Sequence, residues 1–445
     1  ASLFALLECL YALGLSFFGG HRGKALLLTF SMFLFNCASL WTALYTGQGI
    51  FLNSNLRHLV TNINSQASAV IFSCIFLLLF MGLVRKQFYV SMWMVLSTIC
   101  SFVLLCFAKG PAAAIIVCSF SITMLFVLAR KPQFAKALLT LIGVIAVFCV
   151  VYFFVFASGA NTSMRVGNKT LEASAFNWVL NRIMERNVYL WRVALVIAAV
   201  LNFFCMAPVQ VLLYGKGLLR DIRHFWELPA ERLLAHGVVV GGVMAYHLFW
   251  HPSFSQSYFV FIAIFFVNLL AVDEIDQLGK GFFQKAAACA AALGLCTTAV
   301  MYLNFAGSGA RQLLRNLDII EKYPYETVTT AGDETAMQWL NANTKSTVVF
   351  ATNRIHASLK NGDGISNLYT ALSARQAYME GYTYAITNMG VSEAVVAEKI
   401  ATNTALFSAA SSKAEIRSLC AKNGISYLVY STQFAGDTSQ LAAFP

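Results

Sequence analysis

Long apolar stretches separated by short polar loops fill the first 306 residues of the chain. An apolar stretch of about 20 residues crosses the roughly 30 Å hydrocarbon layer of a membrane as an α-helix. Because only helices satisfy their own backbone in lipid, the Gly and Pro residues between the stretches predict loops or helix ends. Ten stretches approach the required length, at about 2–18, 25–45, 67–84, 88–107, 112–129, 137–157, 193–214, 233–249, 256–272 and 286–306.

The hydropathy falls after residue 306, where short apolar runs alternate with amphipathic segments. A helix at 336–340 follows acidic residues, which favour a helix start, and further helices are predicted at 391–407 and 414–423. The β-branched runs 346–352 and 425–431 predict two buried strands, and Gly424 is placed to end the helix before the second. We therefore predict an α-helical polytopic membrane protein, with a transmembrane domain over 1–306 and a C-terminal α/β domain over 307–445.

The composition agrees with a membrane protein, and the charge adds an orientation. Hydrophobic residues make up 58% of the 445 residues and charged residues 11%, against about a quarter charged in soluble proteins. The net charge of +11 lies entirely in residues 1–306, which hold 20 basic and 9 acidic residues. Alternate loops carry 13 and 5 Lys or Arg residues. The richer set is predicted to be cytoplasmic, which places the C-terminal domain outside the inner or cytoplasmic membrane and requires no nucleic-acid partner.

The cysteine and histidine spacing predicts no metal or disulfide site. Ten of the eleven cysteines lie in apolar stretches, and only Cys420 lies in the C-terminal domain. His247 and His251 are one helical turn apart, but no nearby Asp or Glu supplies the third ligand that a metal needs, and interfacial packing is the alternative. No cofactor is evident, and a divalent metal is left open without a ligand set.

Two outer loops and the chain ends complete the predicted layout. The segments 46–66 and 176–186 predict amphipathic helices, which either pack on the protein or lie at the lipid interface with arginines near a phosphate headgroup. The chain begins Ala1-Ser2-Leu3 without a Met and enters an apolar stretch at once, and its ending at Pro445 indicates a second cut. We expect the chain to be truncated at its N-terminus.

Short polar and aromatic motifs accompany this layout in the C-terminal domain. In chain order the motifs are Trp339-Leu340, Asn343-Thr344, Leu372-Ser373-Ala374-Arg375, Tyr378-Met379-Glu380-Gly381-Tyr382 and Asn423-Gly424-Ile425-Ser426-Tyr427-Leu428-Val429. Their order, with many spans and an outer α/β domain, resembles that of the GT-C superfamily of membrane glycosyltransferases. The resemblance covers the overall plan and about 100 residues of the C-terminal domain.

The resemblance implies transfer of a sugar from a polyprenyl-phosphate or similar lipid carrier to an acceptor on the outer face. Such inverting chemistry needs a carboxylate base for the acceptor hydroxyl, and positive charge or a metal for the departing phosphate. In this superfamily the carboxylate typically lies in the first outer loop, yet the outer loops here hold only Glu172 and Glu185. Either the catalytic loop precedes residue 1, which we favour, or the protein is not an active transferase, so no catalytic residue is assigned.

Two sets of residues are candidates for binding. Basic residues of the outer loops would meet the lipid phosphate, although Lys109 has the alternative of snorkelling to the interface. A polar and aromatic cluster of the C-terminal domain would meet the glycan or acceptor, with an Arg–Glu pair that holds a loop in place as the alternative. The first set is Arg165, Lys169, Arg182, Arg186 and Lys109, and the second is Arg375, Tyr378, Glu380 and Tyr382.

These observations predict an integral membrane glycosyltransferase-like protein of cell-envelope glycan assembly. Its partners would be membrane lipids, a polyprenyl-phosphate sugar donor and a glycan or lipid acceptor. The alternatives are a lipid-carrier or glycan transporter (flippase) and a non-catalytic envelope scaffold. Against the transporter, the predicted spans contain almost no buried acid or paired charge, which a proton-coupled pathway would usually need.

Overall fold

The computed structural model divides into two compact units. Unit 1 comprises Ala1–Gly159 and Met164–Ala310, and unit 2 comprises Ala160–Ser163 and Arg311–Pro445. The predicted amphipathic helix at 46–66 lies outside the residues that the structure describes, and the second and tenth predicted spans lie partly outside them. The described residues are 2–34, 67–130, 132–156, 164–167, 169–172, 174, 176–251, 255–277, 281, 282, 284–286, 288–292, 295, 296, 299, 303, 307, 330–355, 367–389 and 391–434.

The described part of unit 1 consists mainly of α-helices, with one pair of short strands. A π-helical turn, Val151–Phe156, extends the sixth helix, and the strands β1 (Arg165–Val166) and β2 (Phe249–Trp250) pair antiparallel. In chain order the helices are α1 (Ser2–Phe17), α2 (Arg22–Leu34), α3 (Ser68–Arg85), α4 (Met92–Ala108), α5 (Gly110–Ala129), α6 (Phe134–Val150), α7 (Lys169–Glu172), α8 (Asn177–Arg186), α9 (Val188–Met206), α10 (Pro208–Arg223), α11 (Ala230–Leu248) and α12 (Ser257–Asp273).

Several of these helices are long and apolar enough to cross a membrane by length and composition. Others are equally apolar but have 17 residues or fewer. The chain is therefore a helical, membrane-associated protein, as the hydropathy predicts. Among the described residues the four long segments are Ser68–Arg85, Gly110–Ala129, Phe134–Val155 and Val188–Met206, and the shorter ones are Phe4–Phe17, Met92–Ala108 and Ser257–Asp273.

One predicted span has the wrong bounds. The hydropathy predicts a single span over 193–214, but α9 ends at Met206 and α10 begins at Pro208. Pro208 lacks the backbone N–H that would continue α9, and it occupies the first turn of α10, where that N–H is not needed. The chain therefore breaks at Ala207 and continues as a separate helix.

Aromatic and small residues pack the helices of unit 1. The ring centroid of Phe76 in α3 lies 5.4 Å from that of Phe120 in α5 and 5.3 Å from that of Phe102 in α4. Gly242 allows α11 to approach α12 closely, because a Cβ at this position would lie 2.6 Å from the carbonyl oxygen of Phe259. The apolar core thus joins α3, α4 and α5, and a backbone contact joins α11 to α12.

Basic residues of the loops that are rich in Lys and Arg form ion pairs with acidic residues at one end of this bundle. The Nζ of Lys24, near the start of α2, lies 2.8 Å from a carboxylate oxygen of Asp276, just after α12. The guanidinium of Arg85, at the end of α3, lies 3.1 Å from the carboxylate of Glu231, at the start of α11. The ends of α2, α3, α11 and α12 therefore meet on the side that carries these loops.

Unit 2 contains parallel strands covered by helices. In chain order its elements are α13 (Ala331–Asn343), β3 (Val349–Thr352), α14 (Leu368–Ser373), β4 (Gln376–Ala377), α15 (Tyr382–Met389), α16 (Glu393–Leu406), α17 (Lys413–Asn423) and β5 (Ile425–Val429). Within the described residues the sheet has three parallel strands in the order β4-β3-β5. Phe350 packs with Met337 of α13, and its neighbour Ala351 packs with Leu406 of α16. Because successive strand residues face opposite sides, helices cover both faces of the sheet.

Polar caps begin and end the helices of unit 2. The Thr330 hydroxyl accepts the Asp333 N–H (3.0 Å), and the Asp333 carboxylate accepts the Thr330 N–H (2.8 Å), which forms a capping box at the start of α13. Ser392 and Ser412 cap α16 and α17 in the same way through their hydroxyls. Gly424 follows α17 with φ of 67°, the left-handed conformation that ends a helix.

The structure agrees with the predicted elements of unit 2 and adds short ones. Helices are present over 336–340, 391–407 and 414–423, and strands lie within 346–352 and 425–431, with bounds that differ by a few residues. The additions are α14, β4 and α15, of which β4 has 2 residues and α14 has 6. Elements this short do not complete enough of a hydrophobic period to be predicted.

Asp333 makes the start of α13 sensitive to acid. Burial raises the pKa of its carboxyl, but the Thr330 N–H and the neighbouring hydroxyls of Tyr369 and Ser431 outweigh burial, so the pKa lies below the ordinary Asp value. Because the pKa of Asp333 is lower in the folded protein than in the unfolded chain, where it is about 3.9, the ionised carboxylate stabilises the fold at pH values above about 3.9. This stabilisation is lost as the pH falls through the pKa of Asp333 in the folded protein. We expect Asp333→Asn to lower the free energy of unfolding by about 1 kcal/mol at neutral pH.

The melting of unit 2 can be followed through Trp339, the only tryptophan in residues 307–445. When the protein is labelled with fluorinated tryptophan, the fluorine resonance of Trp339 is identified as the one that is lost in Trp339→Phe. The change of this resonance with temperature gives the melting midpoint of unit 2 at neutral pH and at pH about 3. The matched control is Glu334→Gln at the next, exposed position. Equal acid sensitivity of the wild type and Asp333→Asn would contradict the role assigned to Asp333.

Candidate functional site

Three of the predicted phosphate-binding residues lie around the turn between α11 and α12. The Nζ of Lys109, between α4 and α5, lies 3.4 Å from the centre of the Tyr258 ring in the first turn of α12. The Nζ of Lys169, at the start of α7, lies 4.2 Å from the centre of the Trp250 ring, which ends β2. Arg165 of β1 stands opposite Trp250 in the strand pair. We call Lys109, Arg165, Lys169, Trp250 and Tyr258 the basic-aromatic site.

A connected set of buried hydrogen bonds positions this site. The Thr170 hydroxyl donates to the carbonyl oxygen of Tyr246 (3.0 Å) and lies 3.4 Å from the Gln256 Nε2, which donates to it. The Gln256 Oε1 accepts the backbone N–H of His251 (3.1 Å). These side chains are all buried. They tie α7 to the turn between α11 and α12, so Lys169 is held next to Trp250 by its neighbour Thr170.

The electrostatics of the basic-aromatic site favour an anion. Each lysine lies over an aromatic ring, whose negative face attracts a cation more strongly when the pair is partly removed from water. Lys109 is half-buried, whereas Arg165 and Lys169 are exposed. The acid closest to them in sequence, Glu172 at the other end of α7, is exposed. Positive charge beside aromatic rings suits a phosphate that carries an apolar chain.

The other two predicted phosphate-binding residues lie on α8. Arg182 and Arg186 are exposed, and the Arg182 guanidinium carbon lies 5.0 Å from the centre of the Trp178 ring on the same helix. Leu180 anchors α8 by packing with Leu171 of α7. The predicted helix over 176–186 is therefore present, but Arg182 contacts its own helix rather than the basic-aromatic site.

The His247 ring contacts neighbouring groups through both nitrogens, and the His251 backbone N–H donates to Gln256. The His247 Nδ1 lies 2.8 Å from the Val243 carbonyl oxygen, and its Nε2 lies 3.1 Å from the Asn202 Nδ2. The neutral tautomer with the proton on Nδ1 satisfies both contacts, so the ring is engaged on both nitrogens. Throughout the described part of the chain, no group of three or more His, Cys, Asp or Glu residues is placed to hold a metal ion.

The predicted glycan-binding cluster of unit 2 divides between the two edges of the sheet. Arg375 precedes β4, and its guanidinium donates to the Thr344 hydroxyl (2.9 Å) and to the Asn341 carbonyl oxygen (2.6 Å). The Tyr378 hydroxyl donates to the Asn423 Oδ1 (3.1 Å) at the end of α17. These partners lie where α13 and α17 lead into β3 and β5, so Arg375 and the Tyr378 hydroxyl are held at the amino edge.

Glu380 lies at the opposite, carboxyl edge. Its carboxylate accepts the backbone N–H groups of Tyr369 and Thr370 at the start of α14, each at 2.9 Å, and lies 3.2 Å from the Arg354 guanidinium. The Arg354 and Glu380 side chains are 1% and 3% exposed. Tyr382, the fourth predicted residue, begins α15. An Arg–Glu pair does hold this loop in place, but its arginine is Arg354 rather than Arg375.

Arg354 was not among the predicted site residues, although the sequence carries a signal for it. Asn353 and Arg354 come directly after the predicted strand at 346–352. Polar residues that follow a buried parallel strand lie at the edge where ligands bind in open α/β sheets. Its partner Glu380 follows a strand that is too short to predict.

A second group of polar residues, in the described part of unit 1, was also absent from the predicted sites. Arg232, near the start of α11, contacts Asp221 of α10, Asp273 of α12 (2.6 Å) and the adjacent Glu274 (3.2 Å). Arg220 contacts the same Glu274 at 2.7 Å. We call these five residues the charge cluster. All five residues lie outside the predicted spans over 193–214, 233–249 and 256–272, so the cluster does not bear on the objection to a transporter, which concerns buried acids and paired charges within the spans.

A line of polar side chains continues from the charge cluster into the bundle. The Tyr214 hydroxyl donates to the Asp221 carboxylate (3.2 Å), and Gln210, one turn earlier on α10, donates to the Asn268 Oδ1 of α12 (3.4 Å). The Asn268 Nδ2 donates to the Ser31 hydroxyl of α2 (2.6 Å). We call Tyr214, Gln210, Asn268 and Ser31 the polar seam. All four are buried.

Comparison with known proteins does not assign the chain to a family. No protein-family model matches it, and no curated protein matches it either. Its function is therefore argued from the geometry of the described residues.

Loss of the Glu380 charge should destabilise unit 2 strongly. Glu380→Gln leaves the Arg354 guanidinium buried without a counter-ion, and removal of one partner from a buried ion pair costs about 3–5 kcal/mol. We expect the melting midpoint of unit 2, followed through Trp339, to fall accordingly. The control is Glu393→Gln, an exposed acid at the start of α16 that should cost about 0.5 kcal/mol or less. A loss no larger than the control would contradict the structural role of the pair.

Proposed function

We propose that this chain is an integral membrane glycosyltransferase-like protein. It binds a lipid-phosphate-linked sugar at the basic-aromatic site and transfers the sugar to a cell-envelope acceptor on the outer face. In this proposal ten helices span the inner or cytoplasmic membrane, and unit 2 is an α/β domain outside the cytoplasm. The observation that carries the proposal is the pair of lysines held over Tyr258 and Trp250.

The difference between the two ends of α11 supports this orientation. Arg232 at one end belongs to the charge cluster, beside the loops that the positive-inside rule assigns to the cytoplasm. Trp250 follows the other end, at the level expected for an interfacial aromatic belt. With a rise of 1.5 Å per residue, Arg232 and Leu248 are about 24 Å apart, comparable with the hydrocarbon thickness of a bilayer.

The site suits the leaving group of such a transfer. A phosphate on a membrane-anchored carrier lies at the headgroup level, where lysines and aromatic rings also lie. As the acceptor oxygen bonds to the anomeric carbon, the bond from that carbon to the carrier phosphate oxygen breaks, and negative charge grows on the phosphate. Fixed positive charge from Lys109 and Lys169 would stabilise it. The acceptor proton would pass to a carboxylate base, a role for which we assign no described residue.

A lipid-carrier or glycan transporter is the second candidate. It is favoured by the polar seam, in which Gln210 and Asn268 are buried between helices of unit 1. Polar groups inside a membrane domain are costly and commonly mark a substrate or ion pathway. A transporter would depend on Asn268 for ligand binding, whereas the proposed transferase would depend on Lys109 and Lys169. A non-catalytic scaffold would depend on neither.

Replacing Lys109 and Lys169 together by Gln should weaken carrier binding about 10-fold to 100-fold. Each substitution removes one charge-assisted contact to phosphate, and every 1.4 kcal/mol corresponds to about 10-fold in affinity. The measurement is equilibrium binding of radiolabelled polyprenyl-phosphate glucose to the purified full chain in lipid nanodiscs.

The matched control for this pair is Lys86→Gln, which removes the charge of an exposed lysine at the opposite end of unit 1. A second double variant, Arg182→Ala with Arg186→Ala, tests α8, and unchanged affinity would remove these arginines from the site. Wild-type affinity in the Lys109 and Lys169 variant would contradict the proposal. Loss of binding in Asn268→Leu, with no effect of the lysines, would favour the transporter.

The orientation of the chain can be tested with two introduced cysteines. Lys422→Cys lies on an exposed turn of α17 in unit 2, and Lys86→Cys lies after α3 among the loops assigned to the cytoplasm. An impermeant maleimide should label position 422 in intact bacterial spheroplasts, and position 86 only after the membrane is permeabilised. Peptide mass spectrometry separates these labels from those on native cysteines. The reverse pattern would exclude the proposed orientation.

A further inference from the structure

The carboxyl edge of the unit 2 sheet gathers polar residues that follow different strands. Asn353 and Arg354 follow β3, Glu380 lies after β4, and Ser431 lies after β5. The Asn353 side chain joins two of these ends, since its Nδ2 donates to the Ser431 carbonyl oxygen and its Oδ1 accepts the Ser431 N–H, both at 2.8 Å. We call this region the carboxyl edge.

The strand order places a topological switch at this edge. From the central strand β3 the chain moves to β4 on one side, and then crosses to β5 on the other side. The connections after β3 and before β5 therefore use opposite faces of the sheet. In open parallel sheets, ligands bind in the crevice outside the carboxyl ends of strands at such a point.

The helices of unit 2 follow this arrangement. Tyr369 of α14 packs with Phe350 and Leu340 on one face, while Leu406 of α16 packs with Ala351 and Ile416 on the other. The two helix layers therefore separate at the carboxyl end of β3. Side chains from both layers reach this end of the strand, because Asn403 of α16 donates to the Thr352 carbonyl oxygen at 2.9 Å.

Among the buried polar atoms at this edge, the Tyr369 hydroxyl and the Asn403 Oδ1 have no hydrogen-bond partner in the described part of the chain. Tyr369 is 0% exposed and Asn403 is 2% exposed. Asp333 and Ser431 are close enough to the Tyr369 hydroxyl to affect its pKa, which burial raises, yet neither meets it with hydrogen-bond geometry. Such atoms are costly unless a water or a ligand satisfies them.

The surroundings of the two atoms indicate the chemistry of the missing partner. The Arg354 guanidinium carbon lies 4.9 Å from the centre of the Tyr369 ring and 5.7 Å from that of Phe434, and Glu380 balances its charge. Asp333 adds a negative charge, which disfavours an anionic ligand. Phe434 is partly exposed, so solvent reaches the edge at this ring.

We propose that the carboxyl edge binds a neutral sugar unit of the glycan, with Tyr369 and Asn403 as polar contacts and Phe434 as the ring on which the sugar packs. A sugar hydroxyl both donates and accepts, so it can satisfy the Asn403 Oδ1 and the Tyr369 hydroxyl, and the apolar face of a sugar suits an aromatic ring. This inference rests on the proposed function, in which unit 2 meets a glycan acceptor. It places the contact at Tyr369 and Asn403 instead of Arg375 and Tyr378.

The test uses Tyr369→Phe, which removes only the hydroxyl. We expect the full chain in nanodiscs to bind at least one of glucose, mannose, galactose and N-acetylglucosamine in saturation-transfer NMR titrations. Tyr369→Phe should weaken that binding about 10-fold, the effect of one lost hydrogen bond to a ligand. The melting midpoint of unit 2 should fall only slightly, because the hydroxyl contributes to the lowered pKa of Asp333 but makes no hydrogen bond of its own in the described part of the fold.

The matched control is Tyr378→Phe, which removes the hydroxyl bonded to Asn423 at the amino edge. It should retain wild-type sugar affinity. Three results would overturn the inference: no binding of any of the four sugars, equal affinity in the wild type and Tyr369→Phe, or displacement of the sugar by inorganic phosphate. The second result would mean that the edge holds only a buried water.

Failure of this inference is distinguishable from failure of the proposed function. Sugar binding is measured with free sugars and depends on Tyr369, whereas carrier binding is measured with a lipid phosphate and depends on Lys109 and Lys169. Loss of the lysine effect alone contradicts the transferase and leaves a sugar-binding unit 2. If only Tyr369→Phe fails to weaken sugar binding, sugar binding at the carboxyl edge is contradicted and carrier binding at the basic-aromatic site still stands.

Discussion

A buried arginine holds the helix ends of unit 1 together. Arg232 contacts carboxylates from α10 and from the end of α12, and its removal from water costs several kcal/mol unless these carboxylates stay in place. Gly217 shows how closely α10 approaches, because a Cβ at this position would lie 2.7 Å from the Glu274 Oε1. The charge cluster therefore requires a glycine at position 217 of α10 as well as its acidic residues. It determines how the ends of α10, α11 and α12 meet.

The same helices carry the basic-aromatic site at their other ends. α11 leads into Trp250, and α12 begins next to Gln256, which links His251 to Thr170. A helix transmits orientation along its length because its backbone hydrogen bonds keep it stiff. The positions of Trp250 and Tyr258 therefore depend on the charge cluster, although the two sites share no residue. The polar seam lies between them, where Asn268 joins α12 to α10 and α2.

Hydropathy and local propensity could predict single elements of this fold but not most contacts between them. The helices α3 and α5 and the strand β5 follow from apolar runs, and the turn at Gly424 follows from its position after a helix. The charge cluster could not be predicted, since Asp221 and Arg232 lie in one predicted loop and Glu274 lies in another, and only helix packing gathers them. Lys109 could be chosen from its position, but its contact with Tyr258 required the tertiary structure.

The residues of the predicted glycan-binding cluster lie apart in the structure because β4 lies between them in the sequence. Arg375 and Glu380 are close in sequence, but the chain between them includes β4, and an extended segment of this length spans on the order of 15 Å. A ligand at the carboxyl edge can therefore meet Glu380 without approaching Arg375. In a parallel sheet, side chains share a site when they follow different strands, as Arg354 and Glu380 do. A pair of short polar segments, each after a buried strand, is accordingly a better signal for a site than one compact polar run.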